Sequence, residues 1–192
     1  MCYIFIMEET DEEIILAHKR GEREAFRRLI SRYSAPLYNF TARLTNKNDA
    51  SDIVQESFIK AWKNIDRFDP LKASFKTWIF TIAKNSTTDF LRKKKSFVFS
   101  DMSKDGDLDE NSFADNIPAE DILPTEALQK LEDSQYLNTV LEKLPTNYRE
   151  VLVLHYQEEM TFEEIGKILG KSSNTVKSQH RRAIIELRKI LT

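Results

Sequence analysis

The sequence predicts an all-α protein made of two small helical domains joined by an acidic flexible linker. Leu, Ile, Ala, Glu, Lys and Arg dominate the 192 residues, whereas Gly and Pro number only four and five. These proportions favour long helices over a sheet. The length leaves room for one large domain or for two domains of about 60 to 100 residues each. Apolar residues recur at helical spacing on both sides of an acidic, polar segment, so we predict two.

The distribution of charge divides the chain in the same way. Residues 1–95 carry 18 Lys and Arg against 13 Asp and Glu, residues 96–133 carry 2 against 11, and residues 134–192 carry 9 against 7. We therefore predict an N-terminal extension at 1–7, a first domain at 8–95, the linker at 96–133 and a second domain at 134–192. We expect the two domains to move freely when the protein is unbound.

The usage of cysteine and histidine excludes several classes of protein. The lone cysteine, Cys2, excludes a disulfide framework and a Cys-based zinc site, and the three histidines lie far apart without ligand partners. The N-terminal run CYIFIM is too short for a membrane span and lacks the basic start of a signal peptide, and Met7 is an alternative start. We predict no cofactor, no metal, no membrane insertion and a cytoplasmic location.

The first two helices have ends that are marked in the sequence. Thr10 and Glu13 form a capping box ahead of the first helix, and Gly21 ends it. The stretch EAFRRLISRY continues as a second helix. We expect Pro36 to end that helix and to start a third, because proline removes a main-chain donor.

Two further helices complete the predicted first domain. Asn48 or Asp49 is expected to cap one whose apolar residues recur at helical spacing. These inward residues are Ala50, Ile53, Val54, Phe58, Ala61, Trp62 and Ile65. After the polar loop DRFDPLKAS, a last helix turns its apolar side inward and ends in the basic run RKKK. That apolar side consists of Phe75, Trp78, Ile79, Ile82, Ala83, Phe90 and Leu91.

The second domain has the pattern of a helix-turn-helix. Thr161 and Glu164 form a capping box for a short helix, and Gly170 stands where a left-handed residue is expected after it. Ser172 or Ser173 then caps a longer helix. A short helix, a tight turn and a longer helix are typical of DNA-binding proteins of this class.

The longer helix has an apolar side and a polar side. Asn174, Lys177, Ser178 and Arg181 follow the spacing of one helix face, and their side chains suit base edges and phosphates in a major groove. Scattered Lys and Arg usually form only a solvated face, but here they coincide with a capped helix-turn-helix. We predict that this helix binds DNA. The residues assigned to it are Ser173, Asn174, Thr175, Lys177, Ser178, Gln179, Arg181 and Arg182.

The helix after Asn48 also carries an exposed polar stripe. Asp52, Gln55 and Glu56 lie at positions i, i+3 and i+4, so their side chains share one face. Such a stripe can bind a partner or can simply face water. The rest of the chain has to decide between these interpretations.

Three stretches of the sequence resemble bacterial RNA polymerase sigma factors of the sigma-70 family. DASDIVQESFIKAW at 49–62 resembles the core-binding region, and TWIFTIAKNSTTDFLRKKK at 77–95 resembles the promoter-melting and minus-10 region. KLPTNYREVLVLHYQEEMTFEEIGKILGKSSNTVKSQHRRA resembles region 4. Their order and spacing match the compact extracytoplasmic-function (ECF) group, which keeps regions 2 and 4.

The resemblance implies a sigma factor that binds core RNA polymerase and recognises minus-10 and minus-35 elements. It assigns binding of the β′ clamp helices to Asp49, Asp52, Ile53, Gln55 and Glu56. It assigns minus-10 DNA to Phe68, Asp69, Pro70, Leu71, Lys72, Ser74, Asn85, Arg92 and Lys93. The last helix would read minus-35 DNA. Further partners implied by the family are the β flap and an anti-sigma factor, which is often membrane-anchored.

One position departs from the housekeeping members of the family. Their pair of DNA-wedging tryptophans is replaced here by Thr81 and Ile82. Trp78 remains, but its spacing with Phe75 and Ile82 predicts a core residue rather than a wedge. We therefore expect initiation to depend on a close match to the minus-10 sequence.

Two other functions were weighed against a sigma factor. A helix-turn-helix regulator acting without core polymerase explains the last helix but gives no role to the stretch DIVQESF. An enzyme is not predicted, because the sequence lacks a nucleophile motif, a Gly-rich phosphate loop and a metal-ligand cluster. The acidic linker fits either mimicry of nucleic acid or a solvated spacer.

Overall fold

The protein was analysed as a computed structural model, which describes residues 9–98 and 139–191, with side chains described at 9–94 and 139–191. Throughout these residues the ordered elements are helices and no strand occurs, which confirms the predicted all-α class. The N-terminal extension and almost all of the acidic linker lie outside the described residues. The domain boundaries within the chain therefore stay predictions.

The first unit, residues 9–98, is a bundle built around α2. Its helices are α1 Asp11–Lys19, α2 Ala25–Leu44, α3 Lys47–Asn64, a 3₁₀ helix Ile65–Arg67, and α4 Phe75–Val98. α2 packs against α1, α3 and α4, and α3 also packs against α4. The largest fully buried side chains of this unit are Phe40, Phe75, Phe80, Ile14, Leu29, Leu37, Ile53 and Ile79.

The capping box predicted at the start of α1 is confirmed. The Thr10 N–H donates to Glu13 Oε2 at 2.8 Å, and the Glu13 N–H donates to Thr10 Oγ1 at 3.3 Å. The hydrogen bonds that the Thr10 N–H and hydroxyl donate to the Glu13 carboxylate lower the pKa of this carboxyl. Arg32 and Tyr33 both donate to the Asp11 carboxylate, which ties α1 to α2.

The break predicted at Pro36 is wrong, because α2 continues through this residue. A proline in a helix interior costs about 3 kcal/mol. Leu29 and Tyr33 before it and Leu37 and Phe40 after it are all buried in the same core. Burial of each such side chain contributes about 1.5–3 kcal/mol. The packing on both sides of the proline therefore outweighs its cost.

The cap predicted for α3 at Asn48 or Asp49 is also wrong, because Asn46 is the N-cap. Asn46 Oδ1 accepts the Asp49 N–H at 2.9 Å, and Asn46 Nδ2 donates to Asp49 Oδ2 at 2.7 Å. The two side chains satisfy each other in the manner of a capping box, so the helix starts two or three residues earlier than expected.

The second unit, residues 139–191, is the predicted helix-turn-helix preceded by further helical turns. Residues 139–142 are helical and are followed by α5 Thr146–Leu152, a π-helical turn Val153–Gln157, α6 Phe162–Leu169 and α7 Ser173–Leu191. The Glu158 N–H donates to the Val153 carbonyl at 3.2 Å, which closes the wider π-type ring. α7 packs on both α5 and α6.

The predicted turn chemistry of this motif is confirmed. Thr161 and Glu164 form a capping box at α6, and Gly170 ends that helix in the left-handed region at φ 66°. The Ser172 hydroxyl accepts the Thr175 N–H at 3.1 Å and so caps α7. A Cβ added at Gly166 would lie 2.7 Å from the Lys171 carbonyl oxygen, so the turn requires a glycine there.

The two units contact each other, whereas the sequence predicted domains that move freely. On the α2 side, Arg43 Nε donates to Gln157 Oε1 at 2.6 Å, and Arg149 Nη1 donates to the Arg43 carbonyl at 2.9 Å. Burial lowers the pKa of both guanidinium groups. The contacts between the units therefore leave the Arg43 and Arg149 guanidinium groups partly buried.

A second set of contacts joins α4 and the loop before it to the second unit. Lys76 Nζ donates to the Glu158 carbonyl at 2.5 Å and lies 3.9 Å from the Glu158 carboxylate. Lys167 Nζ, on α6, donates to the Lys72 carbonyl at 2.9 Å. α6 packs along α4. The helix-turn-helix thus lies directly beside the loop that precedes α4.

Candidate polymerase and promoter interfaces

The polar stripe predicted on α3 is exposed. Asp52, Gln55 and Glu56 all reach solvent, and Glu56 forms an i, i+4 ion pair with Lys60 at 2.8 Å. An exposed ion pair of this kind contributes little to stability, so the Glu56 carboxylate can leave Lys60 and bind another cation. The stripe is therefore available to a partner with basic side chains.

Two residues assigned to this surface are placed differently. Ile53 is only 1% exposed, so its side chain lies in the core and not on the exposed stripe. Asp49 is half-buried and accepts a hydrogen bond from Lys94 Nζ at 2.9 Å as well as from Asn46. Because Asp49 pairs with the N-cap Asn46 and ties α3 to the end of α4, a structural role accounts for this carboxylate.

An apolar groove beside the stripe was missed in the sequence. Trp62 was expected in the core but is 55% exposed, and Ile30 and Ile59 are exposed with it. These side chains line a groove of about 990 Å³ between α2 and α3, which also borders Asp52 and Gln55. Residues 52, 55, 59 and 62 follow one helical stripe, and this periodicity is the signal that could have revealed the groove.

The loop predicted to capture a minus-10 base, residues 68–74, has one buried anchor. Phe68 is 6% exposed, and the centre of its ring lies 5.4 Å from that of Trp78 and 5.7 Å from that of Phe75, so its side chain packs in the core rather than on the loop surface. The same contacts confirm that Trp78 packs against the core. Leu71, by contrast, is 95% exposed at the loop tip.

Local hydrogen bonds shape the rest of the loop. Asp69 Oδ1 accepts the Leu71 N–H at 3.0 Å and forms a turn in which Pro70 is exposed. The Lys72 amine lies 3.6 Å from the Asp69 carboxylate. The Ser74 hydroxyl accepts the Thr77 N–H at 3.2 Å, so Ser74 caps α4 rather than standing free for DNA.

The exposed side of α4 carries the remaining residues assigned to minus-10 DNA. Asn85, Arg92 and Lys93 are all exposed. Arg92 pairs with Asp89 at 3.1 Å, and Lys94 is held by Asp49. The side chain of Lys95 lies outside the described residues. This side of α4 therefore combines an amide with cations that suit phosphate contacts.

The predicted recognition face of α7 points away from its buried side. Val176, Ala183, Ile184 and Leu187 are buried. The exposed residues on the opposite face are Asn174, Thr175, Lys177 and Ser178, while Ser173, Gln179, Arg181 and Arg182 are half-buried. Lys171 Nζ donates to Gln179 Oε1 at 3.2 Å and fixes that side chain. α7 thus presents polar side chains along one exposed face.

Two carboxyls of the second unit have raised pKa values, and one of them, Glu158, contacts α4. Burial raises the pKa of the Glu158 carboxyl, and the nearby Lys76 amine partly offsets the rise. Burial also raises the pKa of Glu150, against the charges of Lys84 and Lys171. Glu158 of the second unit therefore faces Lys76 of α4.

Residues 9–98 and 139–191 hold no group of three His, Cys, Asp or Glu side chains placed to share a metal ion. Among the helices of those residues, none combines the length and the apolar composition needed to cross a bilayer.

Comparison with known proteins gives two matching family models and several relatives. The model for Sigma-70 region 2 matches residues 29–97, and the model for Sigma-70, region 4 matches residues 134–187. The ECF RNA polymerase sigma factor SigW of Bacillus subtilis (strain 168) is 38% identical over 96% of this chain and 98% of its own length. The ECF RNA polymerase sigma factor SigM of the same strain is 32% identical over 79% of this chain and 85% of its own length.

A solved structure extends the likeness to the whole chain. The structure of CnrH in complex with the cytosolic domain of CnrY superimposes with a TM-score of 0.67 at 25% sequence identity. The match covers 95% of this chain and 97% of the solved one. The relatives and the structure thus agree with both family models.

Proposed function

The chain belongs to the extracytoplasmic-function (ECF) group of the sigma-70 family, and we propose that it binds core RNA polymerase and directs initiation at specific promoters. The polymerase performs the chemistry, and this chain selects the promoter in the cytoplasm. The observation that carries the proposal is the combination of the exposed α3 stripe with the exposed polar face of α7 in one chain.

The first part of the proposal concerns core polymerase. Asp52, Gln55 and Glu56 bind the β′ clamp helices, where arginines can make charge-assisted hydrogen bonds with the carboxylates. Ile59 and Trp62 extend the same stripe with apolar area. Because a specific interface combines an apolar centre with a polar rim, the groove supports this assignment.

The second part concerns minus-10 DNA. A flipped base needs a pocket and a basic path for its strand, since extraction from the duplex costs a few kcal/mol. The exposed loop tip at Leu71, the Lys72 amine, and Asn85 with Arg92 on α4 provide such groups. With Thr81 and Ile82 in place of a wedge, initiation should be much weaker on a template mismatched at minus-10 than on a matched one.

The third part concerns minus-35 DNA and further partners. α7 enters the major groove with Asn174, Lys177 and Ser178 foremost, and the β flap holds the second unit near this element. An anti-sigma factor, free or membrane-anchored, regulates the chain. The CnrH structure supports this last point, because it is a complex with the cytosolic domain of another protein.

Binding of the full-length chain to purified bacterial core RNA polymerase tests the proposal. The triple variant Asp52→Ala, Gln55→Ala, Glu56→Ala should lose most of the affinity. The double variant Glu12→Ala, Asp66→Ala is the control, because it removes two exposed carboxylates at other sites of the first unit. It should bind as the unmodified chain does.

The rival function gives a different result in the same experiment. A helix-turn-helix regulator that acts without polymerase would show no binding to the core enzyme and no difference among the three proteins. It would instead bind an operator duplex alone. That result would replace the sigma-factor proposal.

A further inference from the structure

Lys171 lies in the turn between α6 and α7, and its main chain is fixed there. Its N–H donates to the Gly166 carbonyl at 2.9 Å, and its own carbonyl oxygen lies 2.7 Å from the place that a Cβ at Gly166 would take. The turn therefore packs tightly against α6 at this residue. The Lys171 side chain is half-buried, unlike the exposed Lys177 on α7. It thus starts from a rigid main chain and lies partly against the second unit.

The hydrogen bond from Lys171 decides how the Gln179 amide is oriented. Lys171 Nζ donates to Gln179 Oε1 at 3.2 Å. An ammonium group has donors only, so it selects the carbonyl end of the amide and excludes the NH₂ end. Within residues 9–98 and 139–191, Gln179 Nε2 has no hydrogen-bond partner, yet it is not one of the buried unsatisfied atoms. The amide nitrogen is therefore accessible to solvent.

Gln179 lies at the edge of the recognition face of α7. It follows the exposed Ser178 and lies one helical turn after the exposed Thr175. The opposite side of the helix, at Val176 and Ala183, is buried. A side chain of this length at the edge of a helix in the major groove can reach a base edge.

The two ends of a glutamine amide recognise different groups on the bases. Adenine is read by both ends together, since its N6 amino group donates to the carbonyl and its N7 accepts from the NH₂ group. Guanine offers two acceptors in the major groove, O6 and N7, and no donor. An amide whose carbonyl is already bound to a cation presents mainly donors. Such an amide matches guanine better than adenine.

The charge of Lys171 acts in the same direction. An ammonium 3.2 Å from Oε1 repels the partly positive amino group of adenine and attracts the O6 and N7 atoms of guanine. Glu150 restrains this ammonium further. Burial raises the pKa of the Glu150 carboxyl, and the charges of Lys84 and Lys171 partly offset the rise. Lys171 and Glu150 therefore attract each other whenever the carboxyl is ionised.

We propose that Lys171 is a positioning residue that sets the base preference of Gln179. It holds the amide carbonyl, so Gln179 presents its N–H groups to the major groove and prefers guanine to adenine at one position of the minus-35 element. This inference rests on the proposed function, because it assigns a base to α7 within the same DNA surface. Lys171 itself does not need to contact DNA.

Initiation from a promoter library tests the proposal with the full-length chain and purified core RNA polymerase. A promoter used by the unmodified chain is randomised across its minus-35 element, and a barcode in each transcript identifies its template. Gln179→Ala reveals the position that Gln179 reads, because the base preference there becomes flat. The readout is the ratio of guanine to adenine at that position. A loss of stability or of phosphate contacts lowers initiation on every template and leaves this ratio unchanged.

The unmodified chain should favour guanine over adenine at the position that Gln179 reads. Lys171→Met nearly keeps the length of the side chain but removes its donor and its charge, so the ratio should fall by about fivefold or more. Lys171→Ala should shift the ratio in the same direction. Lys171→Arg keeps donors and the charge and should preserve the ratio. In a Gln179→Ala chain, the addition of Lys171→Met should change the ratio no further.

Lys143→Met is the matched control, because it removes an exposed lysine elsewhere in the second unit. It should leave the ratio unchanged. An adenine preference in the unmodified chain would overturn the proposal, as would a ratio that Lys171→Met and Lys171→Ala leave unaltered. A Gln179→Ala chain with the same base preference at every position would overturn it too.

These outcomes are separate from a failure of the proposed function. If the unmodified chain does not initiate with core polymerase on any template, the sigma-factor proposal fails and the role of Lys171 fails with it. If the chain initiates with a minus-35 preference that the Lys171 variants do not alter, the sigma-factor proposal stands and the positioning role is rejected.

Discussion

Gly166 lies where α6 passes closest to the turn that follows it. A methyl group at this position would lie 2.7 Å from the Lys171 carbonyl oxygen and 3.6 Å from the Ser173 nitrogen, which are both main-chain atoms. Gly166→Ala should therefore displace the turn and lower the free energy of unfolding by about 1–3 kcal/mol. The melting temperature of the full-length chain is the measurement.

Gly170→Asn is the matched control for that change. Gly170 is left-handed, with no atom within 4 Å of an added Cβ, and asparagine tolerates this conformation. Its melting temperature should fall only slightly. Equal melting temperatures for Gly166→Ala and the unmodified chain would mean that the turn is not tightly packed.

Arg181 and Lys177 occupy one face of α7 but should act differently on DNA. If Arg181 reads a base, Arg181→Ala should weaken binding of minus-35 DNA by about 1–3 kcal/mol at fixed salt and relax specificity at one position. If Lys177 binds a phosphate, Lys177→Ala should weaken binding to all sequences and reduce the salt slope by about one. Binding titrations across a salt series separate the two effects.

Identical behaviour of these two variants would mean that the recognition face has been misassigned. Ser31→Ala, on the exposed side of α2, controls for substitution as such because it lies in the other unit. It should leave both the affinity and the salt slope unchanged.

The sequence predicted the direction of side chains well at the centre of each helix face and poorly at its edges. Asp52, Gln55 and Glu56 are exposed as expected, because they lie opposite the buried side of α3. Trp62 lies at the edge of the apolar side, where helical spacing alone does not fix burial. Phe68 is in a loop that has no periodicity, and its burial depends on rings from α4.

At the scale of the element, Pro36 destabilises α2, and a substitution can remove this effect. Pro36 lies inside the helix and cannot donate to the carbonyl one turn earlier. Pro36→Ala should raise the free energy of unfolding by about 1–2 kcal/mol, since alanine restores the donor while it loosens the unfolded chain by up to about 1 kcal/mol. Chemical denaturation measures the difference.

Ser31→Ala tests whether a gain in helix propensity alone explains the effect. It introduces alanine on the exposed side of the same helix without any change in main-chain donors. Its effect should stay within about 0.5 kcal/mol. A loss of stability for Pro36→Ala would show that the proline ring makes packing contacts that outweigh the missing donor.

Helix ends were predictable where one residue has one local partner. Thr10 with Glu13, Thr161 with Glu164, and Gly170 all act as expected. The start of α3 was missed because Asn46, Asn48 and Asp49 are all competent caps, and only the pairing of Asn46 with Asp49 decides among them. The continuation of α2 depends on packing along its whole length, which local signals do not report.

At the scale of the whole molecule, the buried Glu158 makes the stability of the contact between the two units depend on pH. Burial raises the pKa of this carboxyl in the folded protein, so the stability it contributes is present below its unfolded pKa and is lost as pH rises through its folded pKa. Glu158→Gln removes the ionisable group, so the variant does not lose this stability as pH rises. The variant should melt higher than the unmodified chain at about pH 7.5 and converge with it at about pH 4.

Glu159→Gln provides the comparison, because Glu159 adjoins Glu158 but is exposed. Its melting temperature should follow that of the unmodified chain at both values of pH. A Glu158→Gln variant that melts lower at neutral pH would show that attraction to Lys76 outweighs the cost of burial.

The arrangement of the two units could not be predicted from the sequence. The family-like motifs define each unit separately, and their own cores determine the helices. The contacts between the units end mainly on the carbonyls of Lys72, Glu158 and Arg43, which every residue possesses and which leave no sequence signature.

The π-helical turn at Val153–Gln157 sets the direction in which Gln157 and Glu158 point from the helix axis. A π-type turn contains one residue more than the α-helical hydrogen-bonding pattern needs. A chain shorter by one residue here could continue as α-helix, and everything beyond it would rotate by about 100° about the helix axis. Such a chain would keep Gln157, Glu158 and all of their partners yet turn these two residues away from Arg43 and Lys76. The pairing of the units is therefore set by the length of this turn as well as by the identity of the residues that meet.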